Sequence, residues 1–169
     1  ITRKEGIAYD KGGEIARSGN INTQLLKSLN SLEFYQLPHP KSIGYEWFVE
    51  KVVPIVDRTK DDMSNLLCTG VHHICDQVAL QIKENTSGTD HSLFVTGGGA
   101  LNEFLIKTLQ SKLLNTAKVI VPEKKLIEFK EALVFALMGV LRIEQKTNVL
   151  KSVTGAKRNS SSGVVFLPC

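Results

Sequence analysis

With 169 residues, the chain has the length of one ordinary domain or of one lobe of a two-lobed protein. Apolar residues make up 42% and charged residues 22%, the balance of a soluble globular chain, and 13 glycines with 5 prolines are too few for a collagen-like or disordered sequence. The formal charge of +4 is dispersed, with Lys124-Lys125 and Lys157-Arg158 the nearest clusters and only 7% aromatic residues, so the basic stripe with stacking rings that nucleic acid requires is not there.

No uncharged run approaches the length of a membrane span, and Ile1 to Gly6 lack the apolar stretch of a secretory signal. The first methionine is Met63, which leads us to expect a processed product or part of a longer protein. Three cysteines make an odd set, and reduced thiols in a cytosolic protein are the simpler expectation.

The first third is turn-rich. Tyr9-Asp10-Lys11-Gly12-Gly13 and Ser18-Gly19-Asn20 bracket a short segment, and Asn22 is placed to cap a helix running through Ser28. Pro38 and Pro40 rule out a helix across Leu37 to Gly44. Tyr45 to Val56 mixes aromatics and valines with no clean period, and its state stays open. From Thr59, a capping residue with Asp61-Asp62 as first-turn acids, apolar or small residues recur at 63, 66, 67, 70, 71, 74, 75, 78 and 82. That spacing predicts a long amphipathic helix ending near Asn85. Ser92 to Thr96 then reads as a buried strand and Ala100 to Leu114 as a helix. Lys118 to Val121 reads as a second strand, and Leu126 to Glu144 as a long helix. Between Ala132 and Leu141 that last helix is apolar almost all round and is expected to be largely buried. The tail reads as loop, with Val164 to Leu167 a candidate strand. The order points to an α/β layered architecture with a parallel pair, and a sheet that thin is expected to gain strands from residues outside the chain.

The strongest local signal is Val95-Thr96-Gly97-Gly98-Gly99-Ala100-Leu101-Asn102: a strand, a glycine turn and a helix start. Glycine removes the side chain where a ligand touches backbone, and helix-start N–H groups favour an anion or polar heterocycle. Neither a P-loop nor a dinucleotide fingerprint fits the spacing. A tight turn that packs helix on strand explains the glycines equally well. Glu131 enters the apolar helix with Glu128 one turn earlier. On residue chemistry alone a solvated carboxylate is favoured over one hydrogen-bonded in a cleft. Cys68, His72 and Cys75 share one helix face, but structural zinc needs a fourth ligand, and no metal site is expected. His72 opposite the stripe and His73 at its edge are expected to be solvated or to line an interface. No nucleophile with a neighbouring base is visible. The loops around Asp10 and Lys41 suit binding residues, although ordinary turn chemistry accounts for both.

Four stretches together carry a resemblance. They are Tyr9-Asp10-x-Gly12-Gly13-x-x-Ala16-x-Ser18-Gly19, Leu37-Pro38-x-Pro40-Lys41-Ser42-x-Gly44-x-Glu46, Val95-Thr96-Gly97-Gly98-Gly99-Ala100-x-Asn102 and Lys130-Glu131-Ala132-Leu133-x-Phe135-Ala136. In this order, with the ending Val153-Thr154-Gly155-Ala156-Lys157-Arg158, the chain resembles the C-terminal lobe of anhydro-N-acetylmuramic acid kinases, of the sugar-kinase, Hsp70 and actin superfamily. The resemblance implies a helix-rich α/β lobe of an actin-like (ribonuclease H-like) ATPase fold, residues 1–169 forming the nucleotide-side lobe of a bacterial cytoplasmic kinase. It implies ATP with Mg2+, and an anhydro-amino-sugar substrate phosphorylated at its 6-oxygen as the 1,6-anhydro ring opens during peptidoglycan recycling. Gly97, Gly98, Gly99 and Asn102 would border the nucleotide and Glu131 would face the sugar, against the solvated reading above. The family's Asp base sits in an Asp-x-Gly-Pro-Gly-Asn type motif upstream of the position matching Ile1, and this chain contains no such motif. No catalytic residue is therefore assigned here, and the chain alone is expected to be inactive. Its expected partners are a missing N-terminal lobe or a second chain, with a homodimer as a further form. A nucleotide- or partner-binding module of the same fold, without catalysis, is the alternative.

Overall fold

In the computed structural model the described residues are 6–38, 41–88 and 90–166. They fall into two compact units, residues 1–122 and 123–169. In the first unit, short α1 (Glu14–Ser18) and α2 (Thr23–Asn30) lead to a helical segment, residues 45–58. That segment closes as α3 (Val53–Arg58). Long α4 (Met63–Asn85) follows, then β1 (His91–Phe94), α5 (Glu103–Lys112) and β2 (Ala117–Ile120). The second unit holds α6 (Lys124–Ile143), a last helical turn, Lys151–Thr154, and an isolated antiparallel bridge between Val149 and Ser160.

The parallel pair is present: β1 runs beside β2 with His91 opposite Ala117 and Phe94 opposite Ile120. Val95 N–H donates to the Ile120 carbonyl at 2.9 Å and carries the ladder one residue further. Helix α5 provides the crossover, and Gln110 ties it to the second strand by accepting from Val119 N–H at 2.9 Å.

Asn22 caps α2 as its position predicts, its Oδ1 accepting from Leu25 N–H at 2.9 Å. The start of α4 differs from expectation. Thr59 donates its hydroxyl to the Ile55 carbonyl at 2.9 Å and so closes α3 instead of opening α4. Asp61 and Asp62 precede the first turn. Asp61 accepts from Asn22 Nδ2 (2.8 Å), Asn65 Nδ2 (2.7 Å) and Asp62 N–H (2.8 Å), which holds its carboxyl below the usual range.

The segment left open, residues 45–56, is helical with a π turn over Phe48–Val52. Pro54, in the first turn of α3, has no N–H to give the carbonyl four residues back, and its ring crowds that carbonyl. The wider π turn directly upstream is the arrangement that relieves it.

Helix α4 is the spine. Ala16, Val71, Cys75, Ala79, Leu109, Leu113 and Ala117 form one core cluster, and Leu25, Leu29, Val52 and Leu66 form a second. The buried arc of α4 is wider than the expected stripe: Cys68, Thr69 and His73 are buried, while Ile74 is 49% exposed. The reason is that α1 and α2 pack on α4 along with α5, so polar positions are covered too. Thr69 meets this by accepting from Asn22 N–H at 2.8 Å and donating to the Asn65 carbonyl at 2.7 Å. Gly19 marks the closest approach: a Cβ there would overlap the Ser64 carbonyl and lie 2.7 Å from Asn65 N. Cys75 is fully buried beside the Leu105 carbonyl, and burial pushes its thiol up to about 11.

Helix α6 corrects the expectation of burial. Ile127 is its one buried residue among those described, and Leu133, Phe135 and Leu137 are 62%, 69% and 58% exposed. Within its own unit α6 is held by the tail, Arg142 Nε donating to the Gly163 carbonyl (2.9 Å) and Asn148 Nδ2 to the Met138 carbonyl (3.0 Å). A short tail cannot cover a helix that is apolar on every side. The candidate strand at 164–167 is not formed over its described residues, 164–166.

Candidate functional site

At the end of β1 the chain does not pass straight into helix. Gly97 takes φ 81° and ψ −179°, a conformation essentially confined to glycine. Gly98 to Leu101 then form a 3-10 turn closed by Ala100 N–H to the Gly97 carbonyl (3.0 Å) and Asn102 N–H to the Gly99 carbonyl (3.1 Å). Asn102 follows as the cap of α5, its Oδ1 accepting from Leu105 N–H at 3.0 Å. The expected helix start at Ala100 is thus displaced to Glu103, because the glycines favour the tighter turn and Asn102 provides the cap.

Gly98 and Gly99 are exposed, and neither has positive φ. A Cβ built on Gly97, Gly98 or Gly99 meets nothing within 4 Å. Turn geometry accounts for Gly97, but packing accounts for neither of the other two. Beside them, the Thr96 hydroxyl is buried and has no hydrogen-bond partner among the described residues. A backbone laid bare at Gly98 and Gly99 is suited to a flat or anionic ligand.

The loop around Asp10 buttresses this site at Asn102. Asp10 accepts from Ile15 and Ala16 N–H, both at 2.9 Å, and so starts α1. Gly13, with φ 75°, lies so close that a Cβ would overlap Asn102 Oδ1 and come 2.7 Å from Phe104 Cβ. Two separate motifs thus meet at Asn102, and Asp10 and Gly13 serve to set that contact.

Lys41 holds its own loop in place. Its Nζ donates to the carbonyls of Phe34 (3.3 Å) and Tyr35 (3.0 Å) and sits 5.3 Å from the Phe34 ring centre. His39 and Pro40 lie outside the described residues. Tyr35 in turn meets His73, whose placement contradicts the solvated expectation. His73 is 6% exposed, with Nδ1 2.6 Å from Asn30 Oδ1 and Nε2 2.9 Å from the Tyr35 hydroxyl. Asn30 Oδ1 also accepts from Gln77 Nε2 (3.0 Å), so the imidazole donates at Nδ1 and accepts the Tyr35 hydroxyl at Nε2. Burial lowers the proton affinity of His73 and raises the Tyr35 phenol. Sequence spacing offers no sign of this network, since Asn30 and Tyr35 are both distant from His73 in the chain.

Glu131 stands in the second unit, exposed on α6. Gly97, Gly98, Gly99 and Asn102 are brought together in the first. Among the described residues no group of three or more His, Cys, Asp or Glu is placed to hold a metal ion.

Comparison with known proteins decides the family. A profile of the family described as anhydro-N-acetylmuramic acid kinase matches residues 1–168. The chain belongs to the anhydro-N-acetylmuramic acid kinase family. Similar proteins of that name occur in Aliivibrio fischeri (36% identical, 98% of this chain and 46% of the relative), Haemophilus influenzae (31%, 98% and 47%) and Sulfurimonas denitrificans (30%, 98% and 47%). The chain spans about half the length of the curated relatives it matches. No helix among the described residues is long and apolar enough to cross a membrane.

Proposed function

We propose that this chain is the nucleotide-side lobe of an ATP-dependent kinase acting on anhydro-N-acetylmuramic acid in the bacterial cytoplasm, within peptidoglycan recycling. Family membership supports the reaction, and the β1–α5–β2 unit with its glycine turn supports an actin-like ATPase lobe. In the reaction, water adds to the anomeric carbon and the bond from that carbon to the 6-oxygen breaks. The 6-oxygen takes the γ-phosphoryl group, ADP departs, and a carboxylate base accepts the proton of the water. The residues of this chain bind and orient. Gly97, Gly98 and Gly99 give the adenosine end of ATP a bare backbone to lie against. Asn102 caps α5 through its Oδ1, and its amide nitrogen is the donor assigned to the nucleotide. Glu131 is assigned to the sugar. When bound, Mg2+ would neutralise phosphate charge, and no residue of this chain is assigned to hold it.

The observation that carries this reading is the open space over Gly98 and Gly99, which removes the packing explanation for the triple glycine. The test is an ATP-dependent phosphorylation assay on anhydro-N-acetylmuramic acid, with the 169-residue chain and with a longer product containing the Asp-x-Gly-Pro-Gly-Asn motif. Activity in the longer product alone is expected. Turnover by the chain alone would overturn the assignment of the base to residues outside it. Silence from both would favour a binding module without catalysis.

A further inference from the structure

A second cleft, of about 480 Å3, opens between α1, α4 and α5 on residues other than the glycine turn. Its lining includes Arg17, His72, Lys107, Thr108, Ser111 and Lys112: three cations, an imidazole and two hydroxyls, with no carboxylate among them. Thr108 is only 9% exposed. Neither hydroxyl has a hydrogen-bond partner among the described residues, nor does either nitrogen of His72, whose ring stands edge-on to Phe104 with centres 5.9 Å apart.

The acids that border the cleft leave it positive. Glu103 Oε2 is shared between Arg17 at 3.6 Å and Lys107 at 3.7 Å, both too long for good charge-assisted hydrogen bonds, and Asp76 pairs with Lys112. Three cations against two carboxylates give a net charge of +1 before His72 is counted. Burial and the Lys112 charge lower the proton affinity of His72, with Asp76 opposing them, so at neutral pH the ring offers one N–H donor. Two loosely paired cations, Arg17 and Lys107, converge with the Thr108 and Ser111 hydroxyls and the His72 ring from three helices, and together they match a tetrahedral anion with several oxygens better than a two-oxygen carboxylate.

We propose that this cleft is a binding site for a phosphoryl group, either a free phosphate ester or the tail of a nucleotide. Arg17 and Lys107 hold the anion at the mouth, and Thr108, Ser111 and His72 take its inner oxygens. This inference does not depend on the kinase reading, and its probe is inorganic phosphate.

The experiment follows the His72 ring by NMR in the 169-residue chain, with ionic strength held constant by chloride. Saturable phosphate binding is expected to raise the His72 titration midpoint by roughly half a unit, since an anion beside the ring favours its charged form. Arg17→Ala with Lys107→Ala should weaken phosphate at least about fivefold. Glu103→Gln, which removes the competing carboxylate and leaves the core alone, should tighten it about twofold or more. A His72 midpoint that phosphate does not move, or that moves equally with chloride, overturns the site. So does unchanged affinity in Glu103→Gln, which keeps the test decisive if the double variant fails to fold. Displacement of phosphate by ATP assigns the site to a nucleotide tail, and persistence beside ATP assigns it to a free phosphate ester. Either result requires the cleft to bind.

Discussion

Gly98→Ala separates a ligand cradle from a packing turn more sharply than any other change. The added methyl meets nothing within 4 Å, and Gly98 lies outside the positive-φ region, so the folded state accepts alanine without strain. Alanine also restricts the unfolded chain, and a stability change between zero and a gain of about 1 kcal/mol is expected. Gly97→Ala is the control within the same turn: a side chain forced to φ 81° and ψ −179° costs about 1–3 kcal/mol although its methyl also meets open space. Against ATP the order reverses in meaning. A methyl in the space we assign to the nucleotide would force it away from the backbone, and overpacking of about 1.4 kcal/mol would weaken binding tenfold. The assay is denaturant unfolding of both variants beside calorimetric titration with ATP, in the longer product as well as the chain. A Gly98→Ala protein destabilised by more than about 1 kcal/mol would refute the open-space argument. One that binds ATP as tightly as the parent would refute the cradle.

Gly19→Ala should destabilise by about 1–3 kcal/mol, because its methyl would strike the Ser64 carbonyl and one of the two backbones must move; urea unfolding measures it. Asn22→Ala removes a helix cap and one bond to Asp61 and should cost about 1–2 kcal/mol in the same assay. Asn102→Ala should cost about 1 kcal/mol through its cap and weaken ATP as well, whereas Asn22→Ala should leave ATP affinity unchanged. For pH, the buried neutral His73 binds a proton less readily folded than unfolded. Its stabilisation is therefore complete above the unfolded value near 6.5 and is lost as pH falls from there toward the lower folded value. Unfolding midpoints at about pH 7.5 and 5.5 should differ in that direction, and the difference should shrink in His73→Gln.

What was legible in the sequence was local. The alternation of strand, glycine turn, helix and strand follows from apolar runs and their breakers, and Asn22 announces its helix through its own chemistry. The chain from Tyr45 to Val56 resisted because a π turn inserts an extra residue into the helical repeat, which erases the 3.6 period by which helices are recognised. His73 was misplaced because burial on α4 is decided by three helices whose sequence positions are far apart. Helix α6 was misread for a different reason. Its composition states correctly that it wants cover, but composition does not say where the cover comes from. The glycine turn was found, yet its open face was not legible, because emptiness in front of a backbone is a property of the folded neighbourhood alone.

Cys75 has a practical consequence. A thiol pushed up to about 11 and sealed between α4 and α5 is inert to alkylating reagents while those helices stay closed. Its labelling rate is then a clock for the separation of the two helices, set by how often the core opens and not by the chemistry of the reagent. Run with and without ATP, the same clock would reveal whether a nucleotide at the glycine turn is felt at Leu105, in the first turn of α5, where the thiol rests in the core of the unit.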